Sequence, residues 1–327
     1  MRIFDTLATR NALPFERLIP ALREMFAAGC SVPSRHVHEI DAPSGNGMTS
    51  LVMPAWLEGR YYGIKVINIA PGNAELGLPG LHATYLLFDA VTGVPLALMD
   101  GNEITARRTA AASALAASFL VPTDAQPIDR HLLVVGAGRI ARLLPAAYRA
   151  VMPIARISVW ARSPAKSAAL AADLRAEGFE AFAAPDLEAA VRAADIVSCA
   201  TLSTAPLIHG AWLKPASHLD LIGSFTPDLR EADDACFAGA HLYVDTLEAL
   251  QKSGDLLGPM QRGVFSAGDV RGTLASLCWG AASQSSITDQ RTVFKSVGTA
   301  LEDLAAAMLV WEASEGLIDR RCAHFIA

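Results

Sequence analysis

The stretch His131–Ala141, HLLVVGAGRIA, decides the fold. Leu132 to Val135 form a short apolar run, the pattern of a strand buried on both faces of a parallel sheet. Gly136-Ala137-Gly138-Arg139-Ile140-Ala141 follows at once, and Ile140, Leu143, Leu144, Ala147 and Tyr148 then recur at helical spacing. Strand, glycine turn and helix in immediate succession give G-x-G-x-x-A a mechanism. The first glycine permits the tight turn, the second lets backbone approach a pyrophosphate, and the small third residue packs helix on strand. The pyrophosphate would rest on free N–H groups at the positive end of the helix dipole. The competing reading is a structural βα turn in another doubly wound fold.

A length of 327 residues suits about two domains. With 52% hydrophobic and 18% charged residues, the chain has material for large cores and little disordered character. A net charge of −6 and the lack of a Lys/Arg-rich run argue against nucleic acid or an anionic membrane as the main partner. Cys30, Cys199, Cys236, Cys278 and Cys322 are scattered without C-x-x-C spacing, so reduced thiols are expected rather than zinc ligands or disulfides. The first residues lack a signal-peptide apolar segment, and Ala110–Val121 is too short and serine-interrupted to span a bilayer. The expected location is the cytoplasm.

Before the glycine turn the texture differs. A helix is predicted from Pro14 to Ala28 with its stop at Gly29, then strands at Ser50–Ala55, Tyr61–Ala70, Ala83–Asp89 and Pro95–Asp100. An alanine-rich helix, Ile104–Leu120, leads out, and Val121–Pro127 reads as a linker. Beyond it strands are expected at 131–135, Ile157–Trp160, Glu180–Ala183, Ile196–Ala200, His218–Ile222 and His241–Val244. Helices are expected between them at 140–151, 164–177 and 186–194, and near 246–253. That alternation predicts an α/β chain with a Rossmann-type doubly wound parallel sheet plus an α+β domain. One long helix is predicted from Asp289 to Trp311, with Val293, Val297, Ala300, Leu301, Leu304 and Met308 on one face, returning to the first domain. The expected division is 1–115 with 299–327, and 116–298.

The end of the second parallel strand reads Trp160-Ala161-Arg162-Ser163-Pro164, without the carboxylate that holds a ribose 2′-hydroxyl in NAD-preferring sites. Arg162 and Ser163 suit a 2′-phosphate, since guanidinium offers forked, charge-assisted hydrogen bonds. NADPH is therefore the expected cofactor, with NADH usable if Arg162 only stacks or is solvated.

Three cations stand in apolar or turn sequence: Arg35, Lys65 between Ile64 and Val66, and Arg108 beside Arg107. An unpaired charge inside a strand is costly, so Lys65 requires a partner or a ligand. Each alone reads equally as a surface charge or a buried ion pair; together they suggest a pocket for a substrate carboxylate. A metal site is not expected, because His36 and His38 have no further ligand at suitable spacing. No G-x-S-x-G elbow supports a serine hydrolase.

Several segments together resemble the ornithine cyclodeaminase/mu-crystallin family: GIKVINIAPGN, GLPGLHATYLLFDAVTGVPLALMDGNEITARRTAAAS, VVGAGRIA, LIGSFTPDLREAD and FKSVGTALEDLAAA. The resemblance runs in order along nearly the whole chain. It implies a homodimer, with an N-terminal domain for substrate and dimerisation, a Rossmann domain, and a final helix that returns. It also implies that Arg35, Lys65 and Arg108 bind the substrate carboxylate and that Gly136 to Ala141 hold the pyrophosphate. Thr201 and Leu202, and Ser296, Val297 and Gly298, match segments lining the nicotinamide. Cyclodeaminases carry an Asp two residues before the proline of their glycine-rich turn, where this chain has Phe225 in Gly223-Ser-Phe-Thr-Pro227. The turn resembles the branch that reduces Δ1-pyrroline-2-carboxylate, so the expected reaction is NAD(P)H-dependent reduction of a cyclic imino acid to L-proline or L-pipecolate. Met53 and Phe225 are candidates for an apolar wall against the ring. The alternatives are ornithine cyclodeamination, an alanine dehydrogenase-like oxidation, and crystallin-like binding of NADPH and a small ligand.

Overall fold

Alternation of apolar and polar residues before Arg108 builds one mixed sheet. The computed structural model describes residues 1–42, 47–122, 129–280 and 290–323. The chain divides into two compact units, Met1–Arg108 with Thr299–Ala327, and Thr109–Gly298.

The first unit opens with β1 (Arg2–Phe4), α1 (Thr6–Ala12) and α2 (Phe15–Ala28). Asp5 caps α1 by accepting the Ala8 N–H. The face of α2 made by Phe15, Leu18, Ile19, Leu22, Met25 and Phe26 is buried. β2 (His36–Ile40), β3 (Met48–Leu57), β4 (Tyr61–Ile69), β5 (Leu81–Asp89) and β6 (Pro95–Asp100) follow, and α3 (Gly101–Leu120) begins at once. The sheet order is β1-β6-β5-β4-β3-β2, antiparallel except for β1 beside β6. His36 and His38 share one exposed face of β2 and stack with ring centroids 6.4 Å apart.

The second unit contains β7 (Arg130–Val135), α4 (Arg139–Arg149), β8 (Ile154–Trp160), α5 (Pro164–Ala176), β9 (Ala181–Ala183), α6 (Leu187–Ala193) and β10 (Ile196–Cys199). It continues through β11 (His218–Leu221), β12 (His241–Val244), α7 (Ala249–Lys252), α8 (Gly254–Gln261), β13 (Val270–Thr273), α9 (Leu274–Cys278) and β14 (Thr292–Lys295). All eight strands pair in parallel, in the order β13-β12-β14-β11-β10-β7-β8-β9. Leu132 to Val135 are fully buried, as their unbroken apolar run requires. The predicted linker falls largely on residues 123–128, outside the described part.

The C-terminal segment corrects the expectation of one helix from Asp289. Thr292–Lys295 is a strand lying between β11 and β12, and the helix α10 starts at Ala300 and runs to Ala323. Val293 is therefore core of the second unit and Val297 belongs to a turn, while Asp289 lies outside the described residues. Spacing misled because a short apolar run has no period of its own, and Val293, Val297, Ala300 and Leu304 happen to fall at helical intervals. β-branched Thr292 and Val293 favour the strand, and Gly298, at φ +77°, separates it from the helix. α10 packs on α2 and on β3, β4 and β5 of the first unit. It is buried on every side from Ala300 to Ala307, which suits its alanine content. None of the described helices is long and apolar enough to cross a membrane.

Candidate active site

In the second unit the glycine turn leaves the carboxyl end of β7 where strand order reverses, with β10 on one side and β8 on the other. Open parallel sheets bind ligands at that crevice. Gly136 has φ +121°, and a Cβ there would lie 2.6 Å from the Ala200 carbonyl oxygen and 3.5 Å from Thr201 Cγ2. The protein itself demands this glycine. Gly138 differs: it is the N-cap of α4 without a side-chain cap, and a Cβ on it would meet nothing within 4 Å. Its openness leaves room for a group from outside, beside free first-turn N–H donors. Ala141 is buried, while Gly138 and Arg139 are exposed and Ala137 and Ile140 half-buried. These residues fit a dinucleotide pyrophosphate.

Arg162 is exposed just past β8, and Ser163, at the N-cap of α5, makes no side-chain cap hydrogen bond. Thr201 donates its N–H and its hydroxyl to Glu231 Oε1, both at 2.8 Å, and Leu202 beside it is 68% exposed. Val297 and Gly298 donate their N–H groups to Asp245 Oδ2 at 2.8 and 2.6 Å. Phe225 stands 40% exposed in the turn after β11, and Asp228 is exposed beyond the proline.

In the first unit Lys65 lies on β4 with Met53 opposite it on β3 and Tyr85 opposite on β5. All three are buried. Lys65 Nζ meets Asp303 Oδ2 at 2.5 Å. Arg108, on the second turn of α3, donates Nε to Asp303 Oδ1 at 2.9 Å and Nη1 to Glu302 Oε2 at 2.5 Å. Two cations and two carboxylates therefore form one buried, charge-balanced cluster. Balance is what makes burial tolerable, since an uncompensated charge here would cost several kcal/mol. Burial lowers the Lys65 ammonium to about 8, with Asp303 partly opposing the shift. Burial also pushes against ionised Arg108 and Asp303, but their ion pairs win, holding the guanidinium above and the Asp303 carboxyl below their ordinary values.

Arg35 stands half-buried immediately before β2, whose His36 faces Val52, so it enters the sheet at the level of Met53. The structure thus brings Lys65, Arg108 and Met53 together. It also supplies Glu302 and Asp303, which reading the cations alone does not find. Their signal is two adjacent acids in an otherwise apolar helical run, TALEDLAAAMLV. Among the described residues no group of three or more His, Cys, Asp or Glu side chains is arranged to hold a metal.

The sequence profile of the ornithine cyclodeaminase/mu-crystallin family matches residues 17–316. The Δ1-pyrroline-2-carboxylate reductase of Paracoccus denitrificans is 41% identical over 302 residues, covering 91% of this chain and 92% of the relative. The Δ1-pyrroline-2-carboxylate reductase of Thermococcus litoralis, solved with NADH and L-proline, superposes with a TM-score of 0.87 at 31% identity, over 95% of this chain and 97% of that one. An archaeal alanine dehydrogenase dimer with bound NAD gives 0.86 at 26% identity, over 97% and 96%.

Proposed function

The chain belongs to the ornithine cyclodeaminase/mu-crystallin family, and from that premise we propose that it is an oxidoreductase reducing a cyclic imino acid with NAD(P)H. The substrate is Δ1-pyrroline-2-carboxylate or its six-membered homologue Δ1-piperideine-2-carboxylate, and the product L-proline or L-pipecolate. The observation that carries this reading is the buried cluster of Lys65, Arg108, Glu302 and Asp303. A protonated cyclic imine is itself charge-balanced, a carboxylate next to an iminium. Arg108, with guanidinium N–H groups beyond the two that meet acids, and Arg35 take the carboxylate. The acids answer the iminium. Met53, beside Lys65, offers the ring an apolar contact.

A bound nicotinamide would supply a hydride, and the residues of the glycine turn fit its carrier. The remaining chemistry is simple in balance: the hydride adds to C2, the C=N π pair goes to nitrogen, and the proton already on that nitrogen stays. Lys65, lowered to about 8, can hold or return that proton near neutral pH. Phe225 in place of a carboxylate favours reduction over cyclodeamination, which must handle a free amine.

NADPH is the preferred carrier in this reading, because Arg162 and Ser163 replace a ribose-binding acid. Arg162→Ala should weaken NADPH far more than NADH in a fluorescence titration; equal losses would remove Arg162 from the 2′-phosphate. The chain is also proposed to form a homodimer, as the archaeal alanine dehydrogenase does. The test of the activity is oxidation of NADPH and NADH with Δ1-pyrroline-2-carboxylate, beside L-ornithine with NAD. Imine-dependent oxidation supports the reading; proline and ammonia from ornithine alone would replace it with cyclodeamination.

A further inference from the structure

Glu231 is completely buried in the second unit, yet it lies on no regular element and follows the turn segment Thr226–Arg230. Its carboxylate joins two turns. Oε1 accepts the Thr201 N–H and hydroxyl, just past β10, and Oε2 accepts the Gly223 N–H at 2.6 Å, just past β11. These turns meet backbone to backbone: a Cβ on Gly223 would fall 1.7 Å from the Thr201 carbonyl oxygen and 2.6 Å from Glu231 Oε1. Thr201 in turn bounds the glycine turn, since a Cβ on Gly136 would lie 3.5 Å from its Cγ2. One carboxylate therefore governs the wall beside the dinucleotide turn, at the carboxyl ends of β7, β10 and β11.

Glu231 is itself held in place. Asp255 Oδ1 accepts the N–H groups of Glu231 and Ala232 at 2.8 and 3.1 Å, and Asp255 Oδ2 faces Lys295 Nζ at 3.4 Å. All three groups facing the two oxygens are donors, so the carboxylate acts purely as an acceptor and an NH2 in place of either oxygen would meet a donor. Burial, set against Lys295 and these hydrogen bonds, raises the carboxyl to about 7. Such an expensive group is out of proportion to joining two loops unless their geometry matters.

We propose that Glu231 is a positioning residue of the dinucleotide site, fixing the turns of Thr201 and Gly223 against the Gly136 turn. This inference rests on the dinucleotide reading above. It goes further by assigning the shape of the wall to one buried carboxylate.

The test is direct binding of NADPH to the full chain by fluorescence titration, with kinetics and thermal unfolding alongside. Glu231→Gln keeps the shape but turns an NH2 toward either Thr201 or Gly223. It should raise the NADPH Kd at least about tenfold, with little change in the imine KM at saturating NADPH. Thr201→Val, which removes one donor to Glu231 and a long acceptor for the Ser203 N–H, should move the Kd in the same direction by less and keeps the inference testable if the glutamine variant does not fold. Asp220→Asn is the control: it alters a buried acid of the same unit that accepts from the Ser113, Tyr148 and Ser198 hydroxyls, and should leave the Kd unchanged. Unchanged NADPH binding in Glu231→Gln, with wild-type binding intact, overturns the positioning role alone. Failure of the wild type to bind any dinucleotide overturns the dinucleotide reading and this inference with it.

Discussion

Asp303 is shared by Lys65 and Arg108, one oxygen to each, while Glu302 takes a second nitrogen of Arg108. Guanidinium geometry is what allows Arg108 to meet two acids and still offer N–H groups to a carboxylate. Arg108→Lys keeps the charge but not the fork. Steady-state kinetics should show kcat/KM for the imine reduced about 100-fold, while titration shows NADPH affinity unchanged. A normal kcat/KM would remove Arg108 from the carboxylate. Lys65 gives a pH signature. Its folded value, about 8, lies below the 10.5 of an ordinary lysine, so between these values the unfolded chain holds a proton that the folded chain does not. Stability therefore rises with pH across that window, as the cost of burying the ammonium is relieved. Activity should move the other way: losing the ammonium removes the ion pair with Asp303, and kcat/KM should fall as pH rises through about 8. A flat profile beyond that pH would contradict a working Lys65 ammonium. The cations were legible in the sequence because charge inside a strand or an alanine-rich helix is anomalous. Their acid partners were less so, since Glu302 and Asp303 begin a helix, where acids commonly sit for the helix dipole alone. Glu231 was hidden further, as LREAD reads like a solvated turn.

Among elements, the turn from β7 to α4 was readable because each of its three small residues has its own physical reason. The structure separates those reasons. Gly138→Ala has open space for its methyl and should leave the thermal midpoint nearly unchanged, yet lower dinucleotide affinity by intruding where the pyrophosphate approaches. Gly136→Ala, at φ +121° and 2.6 Å from a carbonyl oxygen, should destabilise the unfettered fold by about 1–3 kcal/mol or more. Thermal unfolding and titration of both variants check this; equal behaviour would refute the division of roles. β14 was misread for the opposite reason. Four residues are too few to show a period, and its place between β11 and β12 is set by neighbours far away in the chain. Local pattern gave the strands that are flanked by their own helices, and it failed at the strand whose only warrant is the slot it fills.

At the level of the whole molecule, the second unit is inserted into the first between Arg108 and Thr299. Arg108 and Asp303 stand at the two edges of that insertion, 195 residues apart in sequence, and meet in one ion pair. The cluster that carries the proposed chemistry therefore forms only when helix α10, from the far end of the sequence, packs back on β3, β4 and β5 of the N-terminal sheet. No single stretch of sequence contains that information. The proposed reaction passes hydride to C2 of a cyclic imino acid. Its most direct test is turnover of Δ1-pyrroline-2-carboxylate with NADPH deuterated at the transferable C4 position, followed by mass spectrometry of the product. The expected product is L-proline carrying one deuterium at C2, formed in step with NADPH oxidation. Proline without the label, or NADPH that binds but is never oxidised by the imine, would contradict it.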